Sequence, residues 1–335
     1  MKGRRHLRIR NKISSPIPAQ HTRSGSITVS QVDEHWPTAA SWISGRHSQN
    51  PVGALALLGI PIAAGSITPS RYDLAPDVIR SMLGKYSPFD FSSGCDLSDL
   101  KIIDLGNLDV SDAAYAEACE LIAEAVRGAI EKAGCVSILG GNNSLTRAAC
   151  RAIGPLSDTA LLTIDAHLDL RDLDRGPTNG NPVRGLLQDG LPGNHIVQVG
   201  IQSFANSEAY AKIAQQAGIE VIPVERVRAA GIEKTISEAL DRLARIAGTI
   251  YVDLDIDVLD RIFAPAAPGS RPGGLQPSEL FLAARCCGEH PKVAAIDIVE
   301  IDPEKDIANA TALTAAACFL SFAAGYRVRV QNRPM

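Results

Sequence analysis

Two short acidic runs carry residues whose types and spacing suit metal chemistry: Asp165-Ala166-His167-Leu168-Asp169 and Asp253-Leu254-Asp255-Ile256-Asp257. Each follows an apolar stretch with strand character, residues 159–164 before the first and 248–252 before the second. Along an extended chain, residues two apart face the same side. Asp165, His167 and Asp169 are therefore expected to converge on one side, and Asp253, Asp255 and Asp257 on another. Carboxylates gathered this closely repel one another unless a cation lies among them. Carboxylate oxygens with one imidazole suit a divalent ion of the manganese, nickel or zinc type, and a shared pair of ions better still. The plainer alternative is that these acids cap helices or face solvent. Two such runs, both after strands, favour the metal site.

The elements that must position these residues alternate along the chain. Strand-like runs fall at 54–60, 101–105, 135–139, 160–165, 195–200, 220–223, 249–255 and 292–299. Helical patterns fall at 75–83, 113–133, 144–153, 207–217, 232–247, 277–287 and 308–324. The stretch 113–133 is rich in Ala and Glu, with apolar residues three and four apart, and predicts a helix. Alternation of strand and helix predicts an α/β fold, a mostly parallel sheet covered on both faces. Such sheets bind ligands outside the carboxyl ends of their strands. Asp165, Asp255, Glu300 and the pair Asn142-Asn143 all stand at predicted strand ends, so four strands deliver polar groups to one rim.

Composition narrows the partners. The 335 residues carry a net charge of −4, which argues against nucleic acid or an anionic membrane surface. Aromatic residues make up only 4%, leaving no evident platform for stacking bases. No apolar run reads as a membrane span. The seven cysteines show no paired metal-binding spacing, and buried thiols of a cytoplasmic protein are expected. Residues 1–12 carry six Lys and Arg without a following apolar region, so they do not read as a secretory signal. Residues 1–50 are expected to form a flexible or partner-ordered extension.

Four segments together resemble the ureohydrolase family of arginases, agmatinases, guanidinobutyrases and formimidoylglutamases. They are Gly140-Gly141-Asn142-Asn143-Ser144, Asp165 to Asp169, Asp255-Ile256-Asp257-Val258-Leu259-Asp260 with the Pro/Gly-rich stretch 264–274, and Asp297-Ile298-Val299-Glu300-Ile301-Asp302-Pro303. The resemblance spans roughly residues 54–305. It implies a three-layer sandwich around an eight-stranded, mostly parallel sheet, with residues 51–330 as the catalytic domain.

Carried over by position, the resemblance implies two divalent metal ions, manganese first and nickel as the alternative. Asp165 and Asp255 would bridge them, Asp169 would serve the first ion, and His167 and Asp257 the second. Glu300 matches the acid that pairs with amidine or guanidinium nitrogens. Asp253 stands where the family often has a small hydroxyl residue and is not counted as a ligand. Two positions depart from the arginase pattern. Asn143 replaces a histidine ligand of the first ion, and a neutral amide oxygen is usually the weaker ligand toward transition metals. Asn179 replaces a histidine thought to move protons, which an amide cannot do near neutral pH. Formimidoylglutamases also lack that second histidine, and residues 165–171 and 200–207 lean their way, placing the chain nearest that branch.

The chemistry so implied is hydrolysis of a C–N bond in a linear amidine or guanidine. A hydroxide held between two cations would attack, Glu300 would bind the substrate, and Asp169 would move a proton toward the leaving amine. Asn179 and Arg184 are candidate substrate-binding residues, and Arg171 is a further candidate for a substrate carboxylate. A homo-oligomer, or a hetero-oligomer with a related subunit, is expected. Two alternatives stand beside an active hydrolase. One is a supporting subunit of the metformin-hydrolase type, whose partner chain carries the main active site. The other is a binding protein with a relic site, against which the retained cluster of acids argues.

Overall fold

The computed structural model describes residues 9–10, 35–45, 51–111 and 113–332. All eight runs with strand character form strands of one sheet: β1 (Gly53–Ile60), β2 (Leu100–Leu108), β3 (Val136–Gly140), β4 (Thr159–Ile164), β5 (Ile196–Ile201), β6 (Glu220–Pro223), β7 (Thr249–Asp255) and β8 (Val293–Val299). The order across the sheet is β2-β1-β3-β8-β7-β4-β5-β6, with each neighbouring pair parallel. A two-residue strand, Ile9–Arg10, adds an antiparallel edge beside β2.

Period-two alternation along the strands feeds two separate cores. On one face Leu55, Leu57, Leu139, Leu162, Val252 and Ile296 pack with Ile79, Leu240, Leu280 and Phe319 from helices. On the other, Leu58, Ile138, Leu161, Tyr251 and Ala295 pack with Ile122, Ala149, Leu186 and Ala214. This is the expected three-layer α/β sandwich, and both faces of the central strands are dry. Each fully buried Leu or Ile contributes about 1.5–3 kcal/mol relative to exposure. The central strands are thereby fixed in register, and so are the ends that carry the polar groups.

Two features differ from the sequence-based expectation. The segment 1–50 lies mostly outside the described residues, but the helix Ala39–Ile43 within it is part of the packed unit. Trp42 is 1% exposed, donates its indole N–H to the Leu100 carbonyl at 2.8 Å and stacks on Phe319. The last helix, Ala310–Gln331, outruns its expected end and has the length and apolar composition of a membrane span. It is 72% buried inside the fold over that window, and its run of small Ala, Thr and Gly residues allows close packing against the helix Pro277–Glu289.

Candidate metal centre and substrate cleft

The centre forms where β3, β8, β7 and β4 end side by side. Asp165 directly follows β4, Asp255 ends β7, Glu300 directly follows β8, and Asn143 lies three residues beyond β3. Within each acidic run the convergence is not the strand alternation expected from sequence. The chain leaves the extended conformation just after the acid at each strand end: Asp165 Oδ1 accepts the His167 N–H at 2.7 Å, and Asp255 Oδ1 accepts the Asp257 N–H at 2.8 Å. These local side-chain-to-backbone bonds turn the chain and fold the second ligand candidate back over the first. Asp169 and Glu300 both sit at positive φ, 51° and 69°, a conformation L-residues seldom hold without a compensating role. Gly269 passes directly over the centre, and a Cβ there would overlap the Asp257 carboxylate.

The six ligand candidates are brought together. His167 Nδ1 lies 2.9 Å from Asp257 Oδ2 and 3.5 Å from Asp165 Oδ1. Ligand atoms of Asp165, His167 and Asp257 all fall within 4.8 Å of one another. On the other side, the Asn143 side-chain amide reaches Asp169 Oδ2 at 2.8 Å and Asp255 Oδ2 at 3.5 Å. Asp165 Oδ2 is buried with no hydrogen-bond partner. An orphaned carboxylate oxygen among further acids, one imidazole and an amide fits a pair of divalent cations, since a buried anion without a partner is costly. Asp253 stays inside β7, fully buried against Asp297, and burial first, then that neighbouring acid, hold its carboxyl well above the ordinary range.

Burial and mutual repulsion leave their mark on the acids. Asp165 is pushed up to about 7, by burial first and then by Asp257. Asp169 and Asp255 lie well above the ordinary carboxylate range, again through burial first and then through Asp165 and Asp257 respectively. Burial pulls His167 down, but Asp257 and Asp165 outweigh it and hold it at about 11. Asp257 is lowered, because the His167 contact overcomes burial. With no cation bound, the folded protein therefore holds more protons than the unfolded chain from about pH 4 to pH 8. Stability must fall as pH rises through this window, since raised acids and a raised histidine act in the same direction there. Melting temperature in the presence of a chelator is expected to drop between pH 5 and pH 8. Added Mn2+ should remove most of that drop and release protons as it binds. A chelated protein whose melting temperature stays flat or rises over this range would contradict the clustered-acid account.

A cleft of about 400 Å³ opens above the centre, lined among others by Tyr72, His167, Asp169, Asn179, Asp255, Asp257 and Glu300. Glu300 is 5% exposed and held by three donors: the Asn143 N–H at 2.7 Å, Asn179 Nδ2 at 3.0 Å and the Tyr72 hydroxyl at 2.7 Å. Burial raises it to about 7 despite these bonds. Asn179 Oδ1 accepts the Ile67 N–H at 2.9 Å, which fixes the amide with its NH2 toward Glu300. Arg171 lines the cleft; Arg184 does not, and its backbone N–H binds the Asp169 carbonyl at 3.1 Å.

Two cleft residues escape sequence reasoning. Tyr72 comes from a segment with no motif, 228 positions from its partner Glu300. Arg271 belongs to the Pro/Gly-rich stretch 264–274; its guanidinium reaches the Gly269 carbonyl at 2.6 Å and His167 Nε2 at 3.0 Å. Among the described residues, no carboxylate forms an ion pair with Arg171 or Arg271.

Comparison with known proteins bears on this geometry. The family model described as arginase matches residues 54–325. A formimidoylglutamase of Halalkalibacterium halodurans is 35% identical over 279 residues, covering 82% of this chain and 88% of the relative. The crystal structure of Bacillus subtilis formimidoylglutamase superposes with a TM-score of 0.82 at 30% identity, covering 92% of this chain and 96% of the other. A Trypanosoma cruzi formiminoglutamase solved with Mn2+ shares the fold, with a TM-score of 0.77 at 22% identity over 88% of this chain and 99% of that one.

Proposed function

The chain belongs to the arginase family and is a hydrolase acting on C–N bonds of linear amidines, and from that premise we propose that it is a formimidoylglutamase-type enzyme using two manganese ions. The observation that carries the substrate reading is the charge layout of the cleft. Its floor is anionic, with Glu300 held ready for a cationic amidine, while its wall carries Arg171 and Arg271, which have no carboxylate partner among the described residues. A formimidoyl amino dicarboxylate has the matching pattern, one amidinium end and two carboxylates. Agmatine-like substrates carry no carboxylate and would leave both arginines unused.

Asn143, Asp165, Asp169, Asp255 and Asp257, with His167, would hold the two ions. Manganese is favoured by its presence in the Trypanosoma cruzi relative and by the oxygen-rich ligand set, with nickel as the alternative. When bound, such ions lower the pKa of water enough to supply hydroxide at neutral pH. The remaining work falls to the chain. Glu300 accepts the amidine N–H groups and sets the amidine carbon over the centre, with Tyr72, Asn179 and the Asn143 N–H keeping its carboxylate from turning. Asp169 takes the proton released at the attacking oxygen and passes it to the leaving amine, so that formamide and an amino acid leave. Asn179 serves as a fixed positioning amide instead of a proton carrier, which frees the reaction from a titrating histidine at that place. Were His167 to hold a cation through Nδ1, Nε2 would carry the ring proton and could not accept from the Arg271 guanidinium, which would then be available to the cleft.

Purified protein loaded with Mn2+ is expected to release formamide from formimidoylglutamate, faster than it releases urea from guanidino acids with one carboxylate or from agmatine. Preference for agmatine, or no formamide at all, would overturn this substrate reading. Arg271→Ala is expected to raise KM for the dicarboxylate about tenfold and leave kcat largely intact, the loss of one exposed charge-assisted contact. No observation favours the supporting-subunit alternative. Activity of this chain without a partner tests it directly.

A further inference from the structure

The Thr146 hydroxyl stands 2.7 Å from Asn143 Oδ1 and 2.7 Å from Asp297 Oδ2, and all three side chains are fully buried. Both contacts ask Thr146 to donate, and a hydroxyl has one proton. Asp297 has the stronger claim to it. Its Oδ2 also accepts the Tyr251 hydroxyl at 2.6 Å, and its Oδ1 accepts the Leu254 N–H at 3.3 Å. Three donors, the Thr146 and Tyr251 hydroxyls and the Leu254 N–H, converge on Asp297, and a carboxylate so placed acts as their acceptor. With its proton committed to Asp297, Thr146 can only accept from Asn143, and that requires the amide NH2.

An amide exchanges its oxygen and nitrogen by half a turn about its last side-chain bond, with almost no change of shape. After that turn the Nδ2 group donates to Thr146 and every group on that side is satisfied. The oxygen then lies among Asp169 and Asp255, where the amide now stands 2.8 and 3.5 Å from their carboxylates. An oxygen facing two carboxylates is unfavourable unless a cation lies between them. The same turn that completes the Thr146 hydrogen bonds thus completes the oxygen ligand set of the first ion.

We propose that Thr146, anchored by Asp297, is the positioning residue that holds the Asn143 amide with its oxygen toward the first metal. The inference rests on the reading of Asn143 as a ligand of that ion. A neutral amide is a weak ligand, and a hydrogen bond from its NH2 to Thr146 both removes the competing orientation and draws charge onto the oxygen. The chain Asp297–Thr146–Asn143 gives this site an orienting acid at one remove, with Thr146 bridging a distance that the short amide does not span.

The test uses full-length protein loaded with Mn2+, its two ions followed by rate of release to a chelator and by electron paramagnetic resonance. Thr146→Val keeps the shape and removes the hydroxyl. One ion is expected to leave ten- to hundredfold faster, the other at the parent's rate, and the signal of a coupled Mn2+ pair to give way to that of a single ion. Thr146→Ser is expected to behave as the parent. Asp297→Asn keeps the size but presents an NH2 to Thr146, which then donates to Asn143 and turns the amide oxygen away; it should lose the same ion. Parent-like release in both Thr146→Val and Asp297→Asn overturns the proposal, and so does a Thr146→Ser that loses the ion as readily as Val, since packing would then be the cause. Should Thr146→Val not fold, Asp297→Asn and Thr146→Ser decide by the same outcomes. A parent protein that takes up no Mn2+ overturns the metal-centre reading itself, and is told apart by failing before any variant is made.

Discussion

Asp255→Ala is expected to abolish hydrolysis, with turnover falling roughly a thousandfold or more, and to strip at least one metal ion per chain. The carboxylate ends β7 at the middle of the sheet, 3% exposed, with one oxygen occupied by the Asp257 N–H and the other directed at the Asn143 amide. No neighbour can take its place, because strands on both sides are locked in parallel register along most of their length. Losing several kcal/mol of charge stabilisation corresponds to a rate loss of this order, at about 1.36 kcal/mol per tenfold. The variant carries a second signature. Asp255 lies well above the ordinary carboxylate range because it is buried beside Asp257 and Asp165. Removing it relieves repulsion, so in a chelator at pH 8 the variant should melt higher than the parent even as its activity is lost. Metal analysis, turnover and melting temperature check the three parts separately. Full metal occupancy in the variant would refute the assignment of Asp255 as a ligand.

The fold was legible because the central strands are buried on both faces. They read as continuous apolar runs, and all eight were placed within a few residues of their observed bounds. The acids that end them were legible for the same reason: a charge at the end of a mostly apolar strand stands out from its surroundings. What the sequence could not convey was how the acids meet. The expected strand alternation was replaced by turns bonded through Asp165 Oδ1 and Asp255 Oδ1, and such a turn has no apolar period. The helix Ala39–Ile43 spans five residues, too few for helical periodicity to emerge, so the burial of Trp42 went unread. The helix Pro182–Asp189 was missed inside a Gly- and Pro-rich stretch, although Pro at its first position is a start signal. Tyr72, Thr146 and Arg271 act through contacts with residues three to more than two hundred positions away. No spacing rule links them to the motifs. Their roles follow only from which atoms meet and which protons are available.

Glu300→Gln is expected to leave both metal ions in place and to cut kcat/KM tenfold to hundredfold, the roughly 1.5–3 kcal/mol of charge-assisted bonds to a cationic amidine. The substitution is nearly silent for the fold. Two N–H donors, from Asn143 and Asn179, converge on Oε1, so the glutamine oxygen settles there. Its NH2 then faces the Tyr72 hydroxyl, which can rotate to accept where it previously donated. The amide therefore fits, keeps the positive-φ corner after β8, and loses only the charge that attracts the substrate. Removing that charge also eases the neighbouring acids, since Glu300 adds to the upward push on Asp169 and Asp255. Metal retention with reduced turnover is thus a specific signature of substrate binding and differs from that of Asp255→Ala. The same measurement separates an enzyme from a supporting subunit. Hydrolysis by this chain alone, lost on Glu300→Gln while both ions remain, requires the reaction to occur in its own cleft. An unchanged rate in the variant would mean that the amidine is bound elsewhere, and the substrate role of Glu300 would fall.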